Sequence, residues 1–366
     1  MLKIAIVGCG KFADEHVKEI VKLKNVRIAA ACDTEQLMAE QLADRYGISR
    51  TFLSADEMLA QVKPDVVHIT TPPVNHYALA KKCLEAGCHV YVEKPFTLHF
   101  QETEALIVLA EKRNLKITVG HNYQFNPAAE RMRRIVRSGF LGEGRPVHIE
   151  SMYCYGWLNS DYGKAVLNDP YHWVRHLPGQ LLHNVISHGV ARIAEFIHDE
   201  NPEVQVIGYQ SRLLREIENE TSLVDELRVI IRDDGLSAFF TFSSDIQPGL
   251  NEMRIYGTKN SLMINDTYQS VIKIRNKTYK SYLQWLIPNY QFHKQYVSNF
   301  YHTLRNCLNY NYHFNYGLKN LIEAFYSAVI YNNEPPISYK EIRLTAKIME
   351  TIFNKLSSKP SLEEQL

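Results

Sequence analysis

Over the first third of the chain, short continuous apolar runs alternate with stretches of helical spacing. Leu2–Val7, Val26–Cys32, Val66–Thr70, His89–Val92 and Ile117–Gly120 read as strands buried on both faces. Between them, apolar positions recur at helical spacing over Ala13–Leu23, Glu35–Tyr46, Ala55–Ala60, Val74–Ala86 and Glu102–Arg113, with Gly47 and Gly87 as C-terminal stops. Repeated βα units of this length predict a doubly wound parallel sheet, with ligands at the carboxyl ends of its strands. After Pro127 the texture changes. A helix over Ala128–Ser138 gives way to alternating, strand-like stretches at Val147–Tyr155, Val204–Arg212, Ser222–Arg232, Leu236–Ser243, Glu252–Gly257 and Ser270–Arg275. One apolar helix, Leu181–His198, lies among them. Residues 279–316, rich in tyrosine and asparagine, read as a surface loop followed by an amphipathic helix over Phe292–Cys307, or as an aromatic lid over a sugar ring. Two further helices are expected at Leu318–Tyr331 and Lys340–Leu356, and fraying at Leu362–Leu366. The expected class is thus α/β: an N-terminal parallel sheet domain over 1–122, then an α+β domain over 123–357 with a large open, mainly antiparallel sheet, then a tail over 358–366.

The first strand runs directly into Gly8-Cys9-Gly10-Lys11-Phe12-Ala13. Strand, glycine turn and helix start together make a pyrophosphate cradle. Gly8 permits the tight turn, Gly10 lets the backbone approach the phosphates, and Ala13 lets helix and strand pack closely. The helix start adds free N–H groups and the positive end of a dipole. The second strand ends in Asp33, an acid placed to accept from ribose hydroxyls and to repel a 2′-phosphate, which favours NAD over NADP. The parallel-sheet rule places Gly8–Phe12, Asp33, Thr70–Pro73, Glu93–Pro95 and Gly120–Asn122 around one crevice. Cys9, Lys11 and Phe12 belong to the cradle by position. Thr70, Thr71 and Pro72 follow the next strand, and Asn75 and His76 open the helix after it.

Composition narrows the classes. At 366 residues, with 45% hydrophobic and 22% charged positions, the chain has room for two ordinary globular domains. A net charge of +1 argues against a polyanionic partner such as nucleic acid. Arg131, Arg133, Arg134 and Arg137 read as one exposed helix face. No apolar run reaches the roughly 18 residues of a membrane span. The first strand begins at residue 2, so no signal peptide is expected. The six cysteines (9, 32, 83, 88, 154, 307) form no C-x-x-C pair and read as reduced core thiols of a cytoplasmic protein.

Glu93-Lys94-Pro95 at a strand end, together with the glycine turn, makes the chain resemble the glucose–fructose oxidoreductase / inositol dehydrogenase (Gfo/Idh/MocA) family. So do Thr71-Pro72-Pro73 followed by His76, the run Gly120-His121-Asn122-Tyr123-Gln124-Phe125-Asn126-Pro127, the Pro178-to-His188 helix start and Tyr256-Gly257-Thr258-Lys259. The resemblance implies a Rossmann domain and an α/β domain whose open sheet mediates homodimers or homotetramers. It also implies metal-free NAD(P) chemistry on a hydroxyl of a sugar, sugar nucleotide or cyclitol. The family's lysine falls on Lys94 and its catalytic histidine on His188, with Asn184 where aspartate is usual and Gln124 where arginine is common. Lys94 is expected to polarise the substrate oxygen, and His188 to act as general base in oxidation and acid in reverse. Glu93 and Asn122 join the cofactor site on this reading. His121, Tyr123, Gln124, His183 and Asn184 join the substrate site. Trp157 and Trp173, with Tyr155, Tyr171 and His172, are candidates for a sugar-stacking wall or for core. His183 and His188, five apart, share no helical face, so no metal is expected. A glycosidase using transient oxidation and a non-catalytic dinucleotide sensor are the two alternative functions.

Overall fold

A computed structural model describes residues 1–158, 160–217, 223–308 and 316–357. The tail expected at 358–366 lies outside the described residues, as does part of the Tyr/Asn-rich stretch. The chain divides into two compact units, one of Met1–Asn122 with Gly317–Lys347, the other of Tyr123–Tyr316 with Ile348–Leu366.

In the first unit, β1 (Leu2–Val7), α1 (Lys11–Ile20), β2 (Val26–Cys32), α2 (Gln36–Tyr46), β3 (Thr51–Phe52), α3 (Ala55–Val62), β4 (Val66–Ile69), α4 (His76–Glu85), β5 (His89–Val92), α5 (Phe100–Lys112) and β6 (Ile117–Val119) alternate along the chain. The six strands are parallel in the order β3-β2-β1-β4-β5-β6. This is the doubly wound arrangement, with its switch point between β1 and β4. β4 is buried at every position, the one polar residue His68 included.

The second unit contains α6 (Pro127–Arg137), β7 (His148–Cys154), α7 (Asp161–Asn168), α8 (Gln180–Val185), α9 (Ser187–Ala194), β8 (Glu203–Tyr209), α10 (Arg212–Arg215), β9 (Glu226–Asp233), β10 (Leu236–Ser243), β11 (Leu250–Tyr256), β12 (Asn260–Asn265), β13 (Ser270–Arg275) and α11 (Leu283–Leu308). Its seven strands run β13-β12-β11-β7-β10-β9-β8, antiparallel except for the β7–β10 pair. The mainly antiparallel sheet matches the expectation. One strand, β12, was not foreseen from the sequence.

Three expectations need correction. The single helix over Leu181–His198 is two, α8 and α9, joined at Ile186. The loop expected from residue 279 is largely helical, since α11 begins at Leu283 and carries Pro288 inside it. The first domain does not stop at residue 122. Helix α12 (Tyr316–Tyr331) contributes Phe325 and Tyr326 to the first unit's core, and α13 (Tyr339–Ser357) begins with Tyr339, whose hydroxyl accepts the Ile117 N–H at 3.3 Å. The chain needs this return because β4 and β5 are apolar on both faces and require cover that residues 1–122 leave incomplete.

Phe325 is fully buried, with its ring 6.1 Å from that of Tyr91 on β5. Phe325→Ala is expected to lower the protection of β4 and β5 amides by about 3–5 kcal/mol in native-state hydrogen exchange. An independent domain over 1–122 would keep its protection.

Candidate dinucleotide and catalytic sites

Gly8, just past β1, has φ of +89°, and a Cβ there would lie 2.8 Å from Thr71 Cγ2. The turn is therefore pinched against the end of β4, and only glycine fits. Thr70 Oγ1 donates to the Gly8 carbonyl at 2.6 Å and closes the pinch. Gly10 is the N-cap of α1, makes no side-chain cap, and a Cβ there would meet nothing within 4 Å. That helix end is open space lined by uncapped N–H groups, the form an anion cradle takes. Ala13 is fully buried behind it, Lys11 and Phe12 are exposed, and Cys9 is buried.

Asp33 sits past β2. Its Oδ2 accepts the Cys9 N–H at 2.6 Å, and its Oδ1 accepts the Glu35 N–H at 3.0 Å. The carboxylate is thereby fixed beside the glycine turn. Thr71 Oγ1 is buried with no hydrogen-bond partner among the described residues. Pinched turn, open helix start, fixed acid and unmatched hydroxyl together fit an adenine dinucleotide.

Lys94 follows β5, through a cis peptide bond to Pro95, and its Nζ lies 5.8 Å from the centre of the Phe12 ring. Burial holds its amine below the ordinary lysine range, and the Glu93 carboxylate works against that shift. Glu93 is itself buried, yet its carboxyl lies below the usual range. Burial pushes it up, and the hydrogen bond from His16, with the charge of Lys94, more than reverses the effect. Past β6, Gly120 leaves room for this carboxylate, because a Cβ there would stand 2.6 Å from Glu93 Oε1. His121 is buried and its pKa pushed down to about 4, by burial first and Lys94 second, so it is a neutral imidazole at pH 7. Asn122 is half-buried at the same strand end. His76 faces the carbonyls of Pro95 and Thr71 at 2.8 and 2.9 Å with its two ring nitrogens. Burial lowers its pKa, so the neutral ring carries one N–H and donates to one of these two carbonyls. Pro72 is exposed on the first of those loops.

In the second unit, His188 lies in the first turn of α9, nearly buried, its ring stacked on Tyr123 with centroids 4.3 Å apart. The Tyr153 ring is tilted 6.3 Å away from it and 6.1 Å from Tyr123. Arg192, four residues on, anchors the helix through Asp266 at 2.9 Å and Asn251 at 2.6 Å. Asn184, half-buried on α8, donates to the Tyr162 hydroxyl at 2.6 Å, a phenol that burial raises to about 12.

Three expected substrate residues point into the core. Trp157 is fully buried. His183 is buried with its ring stacked on Phe353, 4.7 Å between centroids. Gln124 is buried and donates to the Ala191 carbonyl at 3.4 Å, while Arg133, paired with Glu195, donates to the Gln124 carbonyl. Arg133 thus belongs to this internal network, while Arg134 and Arg137 stay exposed. Trp173 is half-buried and stacked on His172. Sequence reasoning missed Tyr153, Tyr162 and His16. Of these, His16 had a signal, a polar residue on the apolar stripe Ala13–Val17–Ile20 of α1. Of the six cysteines, five are buried as expected; Cys307 is exposed.

Residues 2–121 match a family profile described as an oxidoreductase family with an NAD-binding Rossmann fold. That Gfo/Idh/MocA profile covers the sheet-forming N-terminal stretch of the first unit, about a third of the chain. Among curated relatives, D-glucoside 3-dehydrogenase of Escherichia coli is 32% identical over 39% of this chain and 41% of its own length. UDP-N-acetylglucosamine 3-dehydrogenase of Acidithiobacillus ferrooxidans is 32% identical over 41% of this chain and 44% of its own. The chain therefore spans less than half the length of these two relatives. A crystal structure of the WlbA dehydrogenase from Bordetella pertussis, in complex with NADH and UDP-GlcNAcA, matches the fold with a TM-score of 0.76 at 16% identity, covering 97% of this chain and 95% of that one.

Asp33→Ser removes the acid from the ribose end of the cradle. The expected result is a roughly tenfold weaker NAD+ affinity and a smaller preference over NADP+, from the loss of about 1–2 kcal/mol of hydrogen bonding. Calorimetric titration of both dinucleotides checks it.

Proposed function

We propose that this protein is an NAD-dependent oxidoreductase that moves a hydride between nicotinamide C4 and a secondary hydroxyl or ketone of a sugar, sugar nucleotide or cyclitol. The observation that carries the reading is Lys94: an amine with its pKa lowered by burial, at a strand end of the same parallel sheet as the glycine cradle, beside an ionised Glu93. The substrate class follows the dehydrogenases of glucosides and UDP-N-acetylglucosamine among the relatives.

The bound dinucleotide supplies the hydride acceptor, held by the Gly8–Phe12 turn, Asp33 and the Thr70–Thr71 edge. The chain's own residues manage the proton and the charge. Lys94, as its ammonium, donates to the substrate oxygen and stabilises negative charge there. His188 takes the hydroxyl proton during oxidation and returns it during reduction. Tyr123 fixes the ring plane of that imidazole, and Asn184 with Tyr162 offers uncharged hydrogen-bonding groups to substrate hydroxyls.

Lys94→Ala and His188→Ala are each expected to lower kcat by about 10²- to 10⁴-fold with NAD+ affinity retained. Steady-state assays need a substrate, so the first step is mass spectrometry of whatever co-purifies after denaturation. Free NAD+ binding with no turnover on a broad polyol and sugar-nucleotide panel would leave the sensor reading in place instead.

The second unit's sheet is the proposed face for a homo-oligomer. Ile207, Tyr209, Ile230 and Phe239 on β8, β9 and β10 are exposed apolar side chains of that sheet. Ile230→Lys combined with Phe239→Lys is expected to convert the oligomer to monomer in light scattering.

A further inference from the structure

Behind Glu93 a row of buried side chains runs inward. Glu93 Oε1 is 2.8 Å from His16 Nε2, His16 Nδ1 is 2.9 Å from His68 Nδ1, and His68 Nε2 is 2.8 Å from the Tyr326 hydroxyl. His16 and His68 are fully buried, Tyr326 is 3% exposed, and the Tyr91 ring stacks on His68 at 4.7 Å. The four groups come from four elements: the strand end of β5, then α1, β4 and α12.

The proton positions follow from donor and acceptor capacity. An ionised Glu93 only accepts, so His16 donates through Nε2–H. When that is the only proton on His16, its Nδ1 is bare and the 2.9 Å His16–His68 contact takes the proton on His68 Nδ1. That leaves His68 Nε2 bare to accept from the Tyr326 O–H. In that tautomer every donor points towards Glu93. Burial keeps His68 neutral and Tyr326 protonated at ordinary pH, as this arrangement needs.

We propose that His16, His68 and Tyr326 form a positioning relay that holds Glu93 ionised and in place, so that its charge sets the protonation of Lys94. None of the three touches ligand; each acts through Glu93, whose Oε2 accepts the Lys94 backbone N–H at 3.1 Å. The proposal rests on the oxidoreductase reading for its use, but not for its test. Within the first unit, the charged and titratable groups acting on Lys94 and Glu93 are each other, His16, His76, Tyr91 and His121. Among the described residues, the relay is what donates a side-chain hydrogen bond to the Glu93 carboxylate.

The sign is definite. Glu93 raises the Lys94 pKa against burial, so weakening Glu93 lets it fall. Removing the relay at its second member, His68→Leu, is expected to lower the Lys94 titration midpoint by roughly 1 unit, as Glu93→Gln does directly. His68→Asn, whose side-chain NH2 reaches the Nδ1 position and donates to His16, restores it. Tyr326→Phe, which deletes a single oxygen, lowers it by less and keeps the chain testable if His68→Leu fails to fold. The midpoint is read by NMR of protein labelled at lysine Cε, with the Lys94 signal assigned by Lys94→Arg. This readout needs no turnover. Where turnover is found, the basic limb of the kcat/KM profile moves to lower pH by the same amount.

Movement of the Lys94 midpoint in Glu93→Gln, His68→Leu and Tyr326→Phe, with recovery in His68→Asn, supports the relay. An unmoved midpoint in the His68 and Tyr326 variants, with only melting temperature lowered, overturns it and leaves these residues as packing. A normal relay signature in a protein that transfers no hydride would instead remove the oxidoreductase reading while the relay stands.

Discussion

A carboxylate buried at the end of β5 is the constraint around which the first unit is arranged. An isolated buried charge costs several kcal/mol, so Glu93 persists as an anion only because its surroundings answer it. Gly120 gives up its side chain to make space, His16 donates from α1, and the Lys94 backbone donates from the next residue. The consequence falls on Lys94. Its amine is desolvated enough to leave the ordinary lysine range, yet keeps a neighbouring anion that opposes full deprotonation. His121, at the next strand end, is driven neutral by the same burial. One strand edge therefore presents an amine with a lowered pKa, an anion and an uncharged imidazole, three different answers to a single low-dielectric environment.

The cradle obeys a different physics, that of backbone approach. Gly8 is required by its positive φ and by the closeness of Thr71, whereas Gly10 has an ordinary conformation and open space above it. The first glycine is needed for the protein's own geometry, the second for whatever comes to lie there. His16, lower on the same helix, links that helix to Glu93, so the glycine turn and the lysine-bearing loop share one support.

Legibility from sequence divides along the same line between local and long-range causes. The strand–glycine–helix start, Asp33 and the strand-end position of Lys94 depend on neighbours in sequence, and periodicity exposes them. The addition of Gly317–Lys347 to the first unit does not, because the cover for β4 and β5 arrives nearly 250 residues later. Burial of Trp157 and His183 was hidden for a related reason. An aromatic beside a predicted site reads alike whether it faces a ligand or, as His183 does, Phe353 from the far end of the chain. His16 and His68 left a faint trace: one lies on the apolar stripe of a helix, the other inside an otherwise aliphatic strand. Either alone suggests a satisfied core histidine, and only their meeting at 2.9 Å gives them a direction.

Asn184 and Gln124, the two departures from the family pattern, have unequal weight. Gln124 spends its amide on the backbone of α9 and has its own carbonyl held by Arg133, so it supports the helix that carries His188. A charge at that buried position would displace this support. Asn184 instead lies half-exposed against a phenol that stays protonated far above neutral pH. An aspartate there would place an anion four residues before His188 and against that phenol. Asparagine adds no charge and donates its amide to that phenol. The first unit thus carries an ionised Glu93 beside Lys94, while in the second Asn184 pairs its amide with the protonated phenol of Tyr162.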